Sequence, residues 1–85
     1  MHVVSKIYVD GRIEHVSKTW TLAQMQAFVG GFVERVPCTV PHRALLCDEE
    51  GLLKDKPVNA NATKLVRPGV LTNQGLRGDC LIVKD

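Results

Sequence analysis

The sequence predicts a single α+β domain, residues 1–85, built on a sheet of five to six mostly antiparallel strands with two helices, at about 21–30 and 59–66, packed on one face. Three observations carry this prediction. The chain opens on a hairpin signature, "IYVDGRI". A strongly capped amphipathic stretch, "TLAQMQAFVGG", follows it. The remainder is short apolar runs separated by glycine, proline and acidic turns. At 85 residues the core is thin, and 45% apolar with 24% charged residues is the balance of a folded domain rather than a disordered segment.

In order along the chain, "VVSKIYVDGRIEHVSK" reads as a β-hairpin. Asp10-Gly11 is a favoured pair for a two-residue turn, which sets Tyr8 opposite Ile13 and places Val4, Tyr8 and Ile13 on one face. Thr21 then serves as an N-cap, Gln24 completes a capping box, and Trp20 with Met25 has the spacing of a hydrophobic staple. Leu22, Met25, Phe28 and Val29 recur at helical spacing, and Gly30-Gly31 ends the helix. "FVERVPC" alternates as a strand as far as Pro37, which has no N–H for a ladder. "RALLCDEEGLLK" reads as a strand, an acidic turn in which Gly51 supplies a positive φ, and a short further strand. "PVNANATKLVRPG" carries a second helix, capped by Asn59 or Asn61, with Ala62, Leu65 and Val66 inward and Pro68 ending it. "VLTNQGLRGD" is loop-like. "CLIVKD" is apolar for four residues running, the pattern of a strand buried on both faces.

Composition excludes several classes. A formal charge of +2, with Lys and Arg alternating with Asp and Glu, gives no sign of a phosphate-binding stripe. Aromatic residues at 5% are too few for a base-stacking platform. The apolar runs fall far short of the roughly 20 residues that span a bilayer, so no membrane partner is expected. "MHVVSKIYVDG" lacks the shape of a signal peptide, which places the protein in the cytoplasm with its three cysteines reduced.

Three segments together resemble a known family. "TLAQMQAFVGGFVERV", "CDEEGLLKDKPVNANAT" and "GDCLIV" are similar, in that order, to a small phage- and plasmid-associated family catalogued as domain of unknown function 3846. The shared features fall on Val29, Gly30, Gly31 and Glu34, then on Glu49, Glu50 and Gly51. They continue on Pro57, Val58, Asn59, Ala62 and Thr63, and end on Gly78 and Asp79. They span residues 21–83, while "PCTVPHRALLC" lies outside them. The resemblance implies a fold and a mobile-element setting, and it implies no activity.

Few residues suggest chemistry. Cys38, His42, Cys47 and Cys80 form a formal Cys₃His zinc set, but the chain has no Cys-x₂₋₄-Cys knuckle, and strand alternation makes Cys47 a small packing residue. No metal or other cofactor is expected. A Cys–His nucleophile lacks an acidic orienter, so no catalytic set is assigned. Glu34 is a polar group in a strand that follows Gly-Gly and is a candidate for a cleft. Asn59, Asn61 and Thr63 sit at a helix N-terminus, where they either bind an anion or cap the helix. Asp79, in the step into the last strand, joins them as a candidate for ligand or partner binding.

The expectation is therefore a small non-enzymatic phage or mobile-element accessory protein. It binds a host protein or a small anionic ligand such as a nucleotide, and it counteracts host defence. A thin core and edge strands invite a homodimer. The second reading is a nucleic-acid-binding protein, if folding gathers Arg12, Lys18, Arg35, Arg43, Lys54, Lys56, Lys64, Arg67 and Arg77. The third is a small enzyme acting on a nucleotide, tested at Glu34 or Cys47.

Overall fold

The computed structural model describes residues 1–70 and 75–85. Five strands and two helices follow one another as β1 (His2–Ile7), β2 (Ile13–Thr19), α1 (Leu22–Val29), β3 (Val33–Pro37), β4 (Arg43–Asp48), α2 (Ala60–Lys64) and β5 (Cys80–Lys84). The strands form one sheet in the order β2-β1-β5-β4-β3, and every pairing is antiparallel. The α+β class and the five-stranded antiparallel sheet are as the sequence predicts. The last strand is central, as its unbroken apolar run requires.

The hairpin differs in register. Ile7, not Tyr8, lies opposite Ile13. Tyr8 and Arg12 close a three-residue loop, in which the Tyr8 N–H donates to the Arg12 carbonyl (2.9 Å) and Gly11 takes φ 97°. The Arg12 guanidinium then lies 4.2 Å from the centre of the Tyr8 ring. A glycine in third place fits this longer loop as well as a two-residue turn, which is why the dipeptide alone does not set the register.

β1 carries a bulge at Val4: one step along β5, from Val83 to Ile82, matches two steps along β1, from Val3 to Ser5. The bulge moves Val3 to one face of the sheet and leaves Ser5 and Ile7 on the other. Two cores result. Val3, Met25, Val29, Ala44, Leu46, Leu81 and Val83 pack under α1. Ile7, Val36, Cys38, Leu45, Cys47, Ala62, Leu76 and Cys80 pack under α2 and the segment after it. The helices thus lie on opposite faces, not on one. The cause is β4, buried at Ala44, Leu45, Leu46, Cys47 and Asp48 alike, so that both of its faces need cover.

α1 has the predicted capping box. Thr21 Oγ1 accepts from the Gln24 N–H (3.1 Å), Gln24 Oε1 accepts from the Thr21 N–H (2.8 Å), and Gly30 closes the helix in the left-handed region. Met25 and Val29 are buried, whereas Leu22 is exposed. The short strand expected directly after Gly51 does not form. Residues 49–55 are consecutive turns, held by bonds from the Lys54 N–H to the Glu50 carbonyl and from the Lys56 N–H to the Gly51 carbonyl. The loop reading of "VLTNQGLRGD" falls in part on residues 71–74, outside the described residues.

Strand directions define two ends. At the upper end lie the 8–12 loop, the C-terminus of α1, the 49–57 turns and the start of β5. At the lower end lie the start of β1, the end of β2, the 38–42 turn, the exit from α2 and the end of β5.

Candidate functional site

The upper end is organised around one carboxylate. β4 carries Asp48 out of the sheet beneath the C-terminus of α1, and its side chain is wholly buried. Lys56 Nζ lies 2.7 Å and Lys54 Nζ 2.9 Å from Asp48 Oδ2, while Oδ1 accepts from the Glu50 N–H at 2.9 Å. Burial alone would push this carboxyl up. The hydrogen bonds from Lys56 and Lys54 outweigh burial and hold it at about 2. Both ammonium groups also reach carbonyls that α1 leaves without partners: Lys56 donates to Val29 (2.7 Å) and Lys54 to Gly30 (2.9 Å).

Glycine is required where these groups crowd the backbone. A Cβ on Gly31 would lie 2.6 Å from Lys54 Nζ and 2.7 Å from Asp48 Oδ1. Gly51 has no positive φ, contrary to the turn expected there. Its role is close approach, since a Cβ would lie 2.9 Å from Arg77 Cβ.

Over this network opens a groove of about 240 Å³, lined by Val9, Phe28, Val29, Gly30, Lys56, Pro57, Gly78 and Asp79. Its walls are mostly apolar, with the Lys56 ammonium and the Asp79 carboxylate as its charged groups. Two of the three Lys56 protons are used within the protein. Asp79 Oδ1 accepts from the Val9 N–H (2.9 Å) and ties the hairpin loop to the start of β5. Beside the groove, Phe32 (63% exposed), Leu52, Leu53 (84% exposed) and Val58 stand out from the surface.

The predicted site residues divide. Only Asp79 lines the groove. Asn59 is fully buried and fully used: Nδ2 donates to the carbonyls of Ile7 (2.9 Å) and Gly78 (3.0 Å), and Oδ1 caps α2 through the Ala62 N–H (3.1 Å). Thr63 Oγ1 donates to the Asn59 carbonyl (2.8 Å) and accepts from the Leu76 N–H (3.0 Å). Asn61 Nδ2 donates to the Gly11 carbonyl (3.2 Å). Asn59 caps α2 and ties it to β1, Asn61 ties it to the hairpin loop and Thr63 ties it to Leu76, so these bonds serve the capping alternative. Glu34 lies away from the groove, opposite Cys47 on the neighbouring strand.

The cysteines share a core but not a metal geometry. Cys38, Cys47 and Cys80 are buried together, whereas His42 is exposed in the 38–42 turn. Among the described residues, no three His, Cys, Asp or Glu side chains converge as metal ligands. The Cys47 thiol is pushed up to about 12, by burial first and then by Glu34, whose Oε1 is 3.8 Å from its sulfur. Burial and then Cys47 push Cys80 up to about 12 as well. Neither thiol is primed as a nucleophile.

The family model described as domain of unknown function (DUF3846) matches residues 4–85. The chain belongs to this family. No curated protein and no solved structure matches it. The DUF3846 motifs read in the sequence meet at the upper end, where Gly30-Gly31, Glu50-Gly51, Asn59 and Gly78-Asp79 surround Asp48 and Lys56. Sequence reasoning did not single out Asp48 and placed Lys54 and Lys56 only among the cations of a nucleic-acid surface; the signal for all three was their place within the family segment "CDEEGLLKDKPVNANAT". Among the described residues, no helix is long and apolar enough to cross a membrane.

Proposed function

We propose that this DUF3846 protein is a small non-enzymatic binding module, and that its upper end receives a segment of a partner protein. The observation that carries this reading is the gathering of exposed apolar side chains at one end. Val9, Phe32, Leu52, Leu53 and Val58 all border the groove or its flanking turns. An apolar surface rimmed by charge, here Glu49, Glu50, Lys54 and Asp55, is the pattern of a protein interface. The scaffold beneath it is rigid, because Asp48 and Asn59 use their polar atoms within the fold, so little ordering accompanies binding.

The non-enzymatic reading is supported by the closed Asp48–Lys54–Lys56 network and by thiols held in the protonated form. A host protein as partner, a mobile-element setting, a cytoplasmic location and a role in blunting host defence belong to the same proposal and rest on the motif resemblance. A small anionic ligand is less favoured, since the groove cation is already neutralised by Asp48.

Site-specific photocrosslinking tests it. A crosslinker at Leu53 is expected to trap one partner protein in cells, and the same group at Leu22, exposed at the lower end, is expected to trap none. Equal trapping at both positions, or none at Leu53, contradicts the proposal. A homodimer would appear as a crosslinked pair of this chain.

A further inference from the structure

The lower end carries the opposite character. Antiparallel pairing sets Arg43 of β4 directly opposite Lys84 of β5. Residues directly opposite point to the same face, and like charges in that position repel. Arg67 follows on the far side: its N–H donates to the Pro37 carbonyl (3.0 Å), and Pro37 pairs with Ala44. Lys64 sits in the last turn of α2, where the next residue, Leu65, accepts from the Thr39 N–H (2.8 Å). Lys18 of β2 stands apart from them: it lies opposite Val3, which packs under α1, whereas Arg43 and Lys84 alternate with Ala44 and Val83 and so point to the α2 face.

Lys84, Arg43, Arg67 and Lys64 thus form a row along the α2 side of the lower end. Three inter-strand steps of about 4.8 Å, from β5 across β4 and β3 to the Arg67 segment, make it about 14 Å long. Among the described residues none of the four has an ion-pair partner, whereas Arg12, Arg35, Lys54 and Lys56 all do. The one acidic residue in this region, Asp85, is taken by Arg35. The remaining acids of the loops, Asp10, Asp48, Glu49, Glu50, Asp55 and Asp79, are at the upper end.

We infer that the lower end docks the phosphodiester backbone of a nucleic acid. A linear row of unpaired cations suits a linear polyanion; a small anion meets only two of them at a time. An anionic bilayer fits less well, because the most exposed apolar side chains, Phe32 and Leu53, are at the other end, and Met1, Leu22 and Val40 at this end are less exposed. Without a stacking platform in the row, binding is through the backbone and independent of sequence. This surface is separate from the partner-protein groove, and the two stand or fall independently.

Fluorescence anisotropy with labelled DNA and RNA strands, single and double, tests the inference. Four phosphate contacts predict that affinity for duplex DNA falls roughly 150-fold between about 50 and 200 mM salt. The pair Arg43→Glu and Lys84→Glu is expected to weaken binding at least about tenfold at the lower salt and to flatten the salt slope by about two. The control Arg12→Glu, at the upper end, leaves both unchanged, and circular dichroism confirms that each variant is folded. No binding at about 50 mM salt, equal loss from the Arg12 variant, or tighter binding to anionic phosphatidylserine vesicles than to either nucleic acid overturns the inference.

Discussion

Replacing Asp48 by asparagine keeps its shape and removes the charge that Lys54 and Lys56 share. Losing two charge-assisted bonds in a buried position predicts a fall in stability of about 2 kcal/mol, read by urea unfolding at neutral pH. The pH dependence follows from the same pair. The carboxyl titrates near 3.8 when unfolded and at about 2 when folded. Its contribution is therefore complete above about pH 4 and is lost as pH falls through 2, so the gap between wild type and Asp48→Asn closes over that range. Asn59 makes a second residue-level prediction. Asn59→Asp is isosteric but turns a double donor into an acceptor facing the carbonyls of Ile7 and Gly78. A loss of about 3 kcal/mol is expected, larger than the effect of removing a cap alone. An unchanged melting temperature would instead favour a ligand-binding asparagine.

At the scale of elements, α1 is legible in the sequence because its signals are local. Thr21, Gln24 and Gly30 lie within one short stretch and settle both ends of the helix. Thr21→Ala is expected to cost about 1 kcal/mol. α2 is less legible, since five residues give no helical periodicity and only Asn59 marks it. Which face each helix covers is not a local property at all. It depends on β4 being buried on both sides and on a bulge at Val4, and neither can be read from one segment. Gly31 joins α1 to β4, because its missing Cβ makes room for Asp48. Gly31→Ala is expected to destabilise by about 1–3 kcal/mol. Combined with Asp48→Asn it should cost less than the sum, by at least about 0.5 kcal/mol, since both changes disrupt the same contact.

Over the whole molecule, folding sorts charge that the sequence interleaves. Lys and Arg alternate with Asp and Glu along the chain, which hides any patch. Antiparallel pairing then brings Lys18, Arg43 and Lys84 to one end and leaves the acidic turn at the other. Of the nine cations considered together from sequence, Arg12, Lys54, Lys56 and Arg77 separate to the upper end, and Lys84, absent from that set, joins the row. The family motifs are legible as a pattern, but what they build is not, because Asp48 and Lys56 acquire meaning only when α1, the 49–57 turns and β5 meet. The candidate site shows the same limit. Asn59, Asn61 and Thr63 stand out in sequence for the polar chemistry that the fold consumes, while Phe32, Leu52 and Leu53 look like ordinary core residues until they are found exposed.

The central claim, that the upper end receives a partner protein, is tested most directly by native mass spectrometry of the protein isolated gently from its own cells. The wild type is expected to carry a stoichiometric protein partner. The double variant Phe32→Asp and Leu53→Asp is expected to lose it, while Leu22→Asp at the lower end retains it. A wild-type protein found as a bare monomer, or a partner kept equally by the Phe32→Asp and Leu53→Asp variant, would contradict the account.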